Sequence, residues 1–103
     1  MREKDIEKVL VAEVKKLGGR AYKWTSPGND GVPDRIVIFP GRAPVFVELK
    51  TDTGKLSALQ KVQIGRLRGA GTEVYVAYGL TVSASFSRMR AMKKPAKRWT
   101  VDM

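Results

Sequence analysis

One stretch, Gly31 to Lys50, restricts what this chain can fold into more than any other. Arg35-Ile36-Val37-Ile38-Phe39 and Val45-Phe46-Val47-Glu48-Leu49-Lys50 are β-branched and aromatic runs. Pro40-Gly41-Arg42 between them punctuates a tight turn, so the stretch reads as strand, turn, strand. A hairpin that pivots on Gly41 pairs residues whose numbers sum to 82, which sets Asp34 opposite Glu48. Their Cα atoms would lie roughly 4.5–5.5 Å apart. Lys50 stands two residues beyond Glu48 and so shares its face. A slip of one residue would turn a carboxylate to the other face, so everything downstream depends on this register.

Two opposed carboxylates at the ends of apolar strands are costly by themselves. Like charges directly across a sheet destabilise it, and a buried carboxylate needs a cation or a shell of donors. A hard divalent ion answers both needs, because Mg²⁺ takes oxygen ligands at about 2.0–2.1 Å and keeps several waters. Lys50 then sets a positive charge where an attacking water or a phosphate oxygen would sit. The competing reading is a surface hairpin whose end carries Asp34, Glu48 and Lys50 in solvated pairs. The opposed register, the preceding Gly31-Val32-Pro33 and the apolar flanks favour the site.

Composition narrows the chemistry further. The 103 residues suit one domain with a single modest core. The chain has no cysteine and no histidine, which excludes disulfides, thiolate metal sites and imidazole catalysis. Any metal is therefore held by oxygen, and any base is a carboxylate, lysine, tyrosine or metal-bound water. Twenty Lys and Arg against ten Asp and Glu leave a net charge of +10, which points to a polyanion partner, nucleic acid above all. No basic amphipathic helix with an aromatic face argues for a membrane surface instead. No apolar run is long enough to span a bilayer and no leader is evident, so a cytoplasmic protein without membrane partner is expected.

Residues 3–17 read as a helix, with Ile6, Val9, Leu10, Val14 and Leu17 at three- and four-residue steps and Gly18-Gly19 as the stop. Glu3 and Glu7 lie on the stripe that continues through Leu10 and Val14, and Glu7 borders its buried side. Arg20 to Thr25 reads as a short strand. The loop Ser26-Pro27-Gly28-Asn29-Asp30-Gly31 delivers the chain to Asp34, with Asn29 and Asp30 serving the turn. Lys23, Trp24 and Ser26 border the site and are candidates for DNA contact. Arg35 and Lys55 are further basic candidates.

Ser57-Ala58-Leu59-Gln60 fits the S-x-x-Q capping box opening a second helix, which Gly69 and Gly71 end. Lys61, Arg66 and Arg68 make that helix basic. Thr72 to Tyr78 is a strand that a right-handed crossover lays parallel to the 44–50 strand. The hairpin strands are apolar on both faces, so helices are expected on both sides of the sheet. The expected architecture is α/β, a four-stranded mixed sheet in the order helix, three strands, helix, strand. Val82, Phe86 and Met89 hint at a third helix. Residues 88–103 form a basic tail in which Lys93, Lys94, Lys97 and Arg98 are candidates for phosphate contact; it either serves as a DNA-binding arm or packs through Trp99.

Gly-Val-Pro-Asp at 31–34, Phe-Val-Glu-Leu-Lys at 46–50, then Gly54-Lys55-Leu56-Ser57 and Gln60, resemble the virus-type replication-repair nuclease domain, VRR-NUC, of the PD-(D/E)XK nuclease superfamily. The resemblance runs from the first helix to about Tyr78. It implies a restriction-endonuclease-like core, and 1–103 is read as one nuclease domain whose basic tail, 88–103, departs from the family. It implies a glutamate of the first helix in the active site, for which Glu7 is chosen over Glu3. It also implies that the backbone carbonyl of Leu49 joins the metal ligands and that Gln60 leans toward them.

The expected activity is a Mg²⁺- or Mn²⁺-dependent deoxyribonuclease with no small-molecule cofactor. Asp34 and Glu48 bind the ion, Lys50 handles water or transition-state charge, and Glu7 and Gln60 complete the set. Branched DNA is the expected substrate, specifically Holliday junctions cut by a homodimer, as stand-alone viral and bacterial members of the family imply. The alternatives are a monomeric nuclease directed at flaps or nicks, and a nucleic-acid-binding module without catalysis.

Overall fold

The computed structural model describes residues 2–79. The six elements in chain order are α1 (Glu3–Lys16), β1 (Arg20–Lys23), β2 (Arg35–Ile38), β3 (Val45–Lys50), α2 (Ala58–Gly69) and β4 (Val74–Tyr78). The four strands form one sheet in the order β1-β2-β3-β4. β1 and β2 are antiparallel, as are β2 and β3, whereas β4 returns parallel to β3. This is the expected mixed α/β sheet. The suggested helix within 80–92 and the basic tail at 88–103 lie outside the described residues.

The hairpin register is the one the turn demands. Arg35 pairs with Val47, Ile36 with Phe46 and Val37 with Val45, so every pair sums to 82. Gly41 sits at φ +77°, and the Arg42 amide donates to the Phe39 carbonyl over 3.4 Å. Proline followed by a glycine at positive φ is the preferred centre of a type II turn, which fixes the pivot.

Both helices end on the same device. At the end of α1 the Gly19 amide donates to Val14 and the Gly18 amide to Lys15. At the end of α2 the Thr72 amide donates to Leu67 and the Gly71 amide to Arg68. These pairs are Schellman motifs, with Gly18 and Gly71 in the left-handed conformation that closes the last carbonyls.

α1 buries Ile6, Leu10 and Val14 against Val37, Phe39, Val45, Val47, Leu49 and Ala77. The odd-numbered residues of β3 therefore face α1. Strand alternation turns Phe46, Glu48 and Lys50 to the opposite face, the side on which α2 lies. Among the described residues α2 buries only Ile64, while Leu59 and Val62 stay exposed. A polar staple supplements this contact: the Arg68 guanidinium donates to the Val74 carbonyl at 2.8 Å. Arg68 thus anchors α2 to β4 rather than standing free on a basic surface. At the same end of β4, Arg42 pairs with Glu73 and Tyr75 donates to the same carboxylate, tying the hairpin turn to the approach of β4.

Candidate active site

The sheet brings Asp34 and Glu48 to one end of the hairpin. Asp34 immediately precedes β2, and the observed register continued by one residue sets it opposite Glu48. Its position is fixed from two sides. Its carbonyl accepts from the Trp24 amide at 2.8 Å, and its carboxylate Oδ2 accepts from the Leu49 amide at 3.2 Å. The Trp24 ring leans on Phe46, with centroids 5.0 Å apart, and holds the start of the 24–34 loop against the α2 side of the sheet.

That loop is also gripped by α2. Gly31 has φ +91°, and a Cβ there would lie 2.7 Å from the Leu59 carbonyl carbon and 2.9 Å from the Gln60 nitrogen. Only glycine fits so close to the helix backbone. The Gln63 side chain adds a bond to the Asp30 carbonyl at 3.3 Å, and Asn29 closes the turn on Ser26. Pro33 is fully buried. The G-x-P-D run is therefore a packed route that delivers Asp34, and Asn29 serves the turn as its sequence suggests.

Glu48 is 1% exposed, the only buried charged residue among those described. Its Oε2 accepts from Gln60 Nε2 at 3.1 Å and lies 3.7 Å from Lys50 Nζ. Its Oε1 is buried and has no hydrogen-bond partner. Burial first, then the Asp34 charge, push its pKa from the ordinary 4.5 to about 8. Lys50 opposes the rise, while a hydrogen bond with Asp34 and the charge of Glu3 add to it. The site thus strains toward holding either a proton or a cation.

Gln60 does two things at once. Its backbone amide donates to Ser57 Oγ at 3.1 Å, and its side-chain Oε1 accepts from the Ser57 amide at 2.9 Å. This is the expected capping box. Its Nε2 meanwhile reaches Glu48, so capping and contact with the site are both present.

The third carboxylate comes from Glu3. Oxygens of Glu3, Asp34 and Glu48 lie within 4.8 Å of one another. Glu7, the residue expected there, instead faces Arg35, with Oε2 3.9 Å from Nη2. The reason is helical geometry. At about 100° per residue, Glu3 falls roughly 20° from the centre of the Ile6-Leu10-Val14 stripe and Glu7 roughly 60° from it. Glu3 is also a full turn nearer the end of α1 that meets the hairpin. A finer reading of the stripe would have found it.

The donor set suits a hard cation. All three groups are carboxylates, and one buried oxygen lacks a partner. Adjacent oxygens on one octahedral Mg²⁺ are about 2.9 Å apart and opposite ones about 4.2 Å, so a bound ion would draw the three groups closer together. Of the remaining candidates, Lys23 and Lys55 are exposed and Ser26 is half-buried, its hydroxyl engaged by Asn29. Arg35 points away from the cluster, toward α1. Lys93, Lys94, Lys97 and Arg98 lie outside the described residues.

A mixed sheet in α-β-β-β-α-β order, with G-x-P-D before one hairpin strand and E-x-K ending the next, defines a restriction-endonuclease-like nuclease domain. The VRR-NUC domain model matches residues 3–81. The chain belongs to the VRR-NUC family. "Putative nuclease p44" of Acyrthosiphon pisum secondary endosymbiont phage 1 is 47% identical over 76 residues, covering 74% of this chain and 82% of the relative. A solved VRR_NUC domain superposes with a TM-score of 0.75 at 27% identity, covering 88% of this chain and 97% of the other. A second, described as a VRR_NUC domain protein, shares the fold with a TM-score of 0.72 at 18% identity, covering 92% and 93% of the two chains.

Proposed function

We propose that this nuclease is a divalent-metal-dependent DNA endonuclease whose ion is held by Glu3, Asp34 and Glu48, with the Leu49 carbonyl as a further ligand. The observation that carries the reading is the convergence of three carboxylates, one oxygen of each within 4.8 Å of the others, at a glutamate that keeps a buried oxygen without a partner. When bound, Mg²⁺ or Mn²⁺ supplies Lewis acidity toward the phosphate and a more acidic water. The remaining work falls to the chain. Gln60 and Lys50 engage Oε2 of Glu48 and leave Oε1 for the ion. Lys50 orients the attacking water and offsets the charge that develops on the phosphate. Asp34 is held by the Leu49 amide, so the carboxylate is preorganised.

The substrate in this reading is branched DNA, specifically Holliday junctions, cut by a homodimer that presents two sites at a fixed separation. The net charge of +10 without an evident base-reading helix favours recognition of shape and backbone. Purified protein offered matched four-way, flap, splayed and duplex DNA should cut the four-way junction best, in Mg²⁺ or Mn²⁺ and not in chelator. Asp34→Ala or Glu48→Ala should reduce the rate by about 10²-fold or more, since even outer-shell changes at metal sites cost 10–100-fold. Undiminished cutting by those variants defeats the site. Equal cutting of duplex and junction, or a strict monomer on DNA, defeats the junction reading and leaves the chemistry standing.

A further inference from the structure

A cleft of about 390 Å³ runs along α1 on the side of the sheet away from Lys50, lined by Lys4, Glu7, Lys8, Val11, Ala12 and Arg35. Val11 and Ala12, both exposed, are its apolar lining, and its other four residues are charged. Lys4 and Lys8 stand one turn apart, so their ammonium groups project from the same face of the helix. Among the described residues neither makes an ion pair. Arg35 closes the far wall. One of its nitrogens donates to the Ala21 carbonyl at 3.3 Å, and Nε is buried without a partner. The 3.9 Å between Nη2 and Glu7 is well beyond the roughly 2.7–2.9 Å of a strong charge-assisted bond. Glu7 therefore steers the guanidinium without saturating it. Three cations against one carboxylate leave the cleft at +2.

The location gives the charge a meaning. Lys4 follows Glu3 in the chain and Arg35 follows Asp34, so both walls of the cleft are one residue from a carboxylate of the metal cluster. A DNA strand bound at that cluster and running around the end of the sheet toward α1 would come to this cleft.

We propose that the cleft is a phosphate subsite, in which Lys4, Lys8 and Arg35 hold a backbone phosphate of the DNA strand flanking the one that is cut. Glu7 is its positioning residue. The inference rests on the nuclease reading for the identity of the strand, and it extends that reading to residues of α1 outside the cluster. Lysines without partners suit a sequence-independent contact, because each neutralised phosphate releases counterions and no base is read.

The test is binding rather than cutting. Affinity for a four-way junction is measured in chelator across 50–200 mM salt, for the parent, for Lys4→Gln with Lys8→Gln, and for Lys15→Gln with Lys16→Gln. The last pair removes the same charge from the same helix, at its other end. Loss of two phosphate contacts should lower the salt slope by about two, so that affinity falls roughly tenfold less over that range than in the parent. The remote pair should leave the slope near the parent's. In Mg²⁺ the cleft variant should raise KM and leave kcat at saturating DNA unchanged. An unchanged slope in the cleft variant, an equal loss in the remote pair, or no DNA binding by the parent overturns the subsite. A parent that binds with the predicted slope but never cuts overturns the nuclease reading and leaves the subsite intact.

Discussion

Replacing Glu48 by glutamine should remove most of the pH dependence of stability in the metal-free protein between pH 5 and 7.5. Glu48 is 1% exposed, and its pKa is raised from 4.5 to about 8 by burial and by Asp34. A carboxyl whose pKa is higher in the folded state holds its proton more tightly there. Stability is then fully present below pH 4.5 and is lost as pH rises toward 8. At about 1.4 kcal/mol per unit, the loss between pH 5 and 7.5 comes to about 3 kcal/mol. For a domain of this size that is a fall in Tm on the order of 10–20 °C. The window is unusually clean. With no histidine in the chain, only the terminal amine ordinarily titrates near it. The net charge of +10 pushes the other way, since self-repulsion eases as pH rises. Urea unfolding in chelator, followed at half-unit steps, should show the parent losing stability while Glu48→Gln changes by under about 1 kcal/mol. Saturating Mg²⁺ should shrink the parent's loss, because the ion takes the place of the proton. A parent profile flat across the window, or an equal slope in Glu48→Gln, refutes the burial account.

Metal should stabilise the parent by mass action, by about 2.7 kcal/mol at a hundred times Kd, and so raise its Tm. Glu3→Ala should blunt that Mn²⁺-induced shift and Glu7→Ala should preserve it; the reverse ranking in a thermal titration would restore Glu7 to the cluster. Gly31→Ala forces a Cβ to within 2.7 Å of the Leu59 backbone at a φ of +91°. It should destabilise by at least about 1–3 kcal/mol and weaken metal binding, and wild-type unfolding and metal response together would show that the loop packs otherwise. Leu10→Ala empties the middle of the α1 stripe and should cost about 2–5 kcal/mol in urea unfolding, against under about 0.5 for the exposed Lys15→Ala.

The hairpin was readable because its turn is made of residues with few options. Pro40-Gly41 fixed the pivot, and the pivot fixed Asp34 against Glu48 without any tertiary information. The S-x-x-Q box was readable for the same reason, as local chemistry. Glu3 was harder. Both first-helix glutamates sit on one broad stripe, and choosing between them needs the direction in which the apolar ridge points and the end of the helix that meets the sheet. The second contact of Gln60 was open in the sequence as an alternative to capping, and nothing local states that one amide can satisfy both. Arg68 likewise looks like solvent-facing charge until β4 is laid alongside it. The α1 cleft depends on Arg35 alternating away from Asp34 and toward Glu7, a consequence of strand pleat that only matters once the helix is docked.

The two ends of the Gln60 amide are not interchangeable. Its oxygen must accept from the Ser57 N–H at the start of α2, which obliges its NH₂ to face Glu48. A donor there makes Oε2 the wrong oxygen to protonate, so a proton on Glu48 favours Oε1, the oxygen without another partner. A metal held as proposed above would compete with that proton for Glu48. An exchange between them would alter the pull on an amide whose other end caps a helix. The first turn of α2 becomes a gauge of the site's charge state, legible as a change in hydrogen exchange at the Ser57 and Gln60 amides.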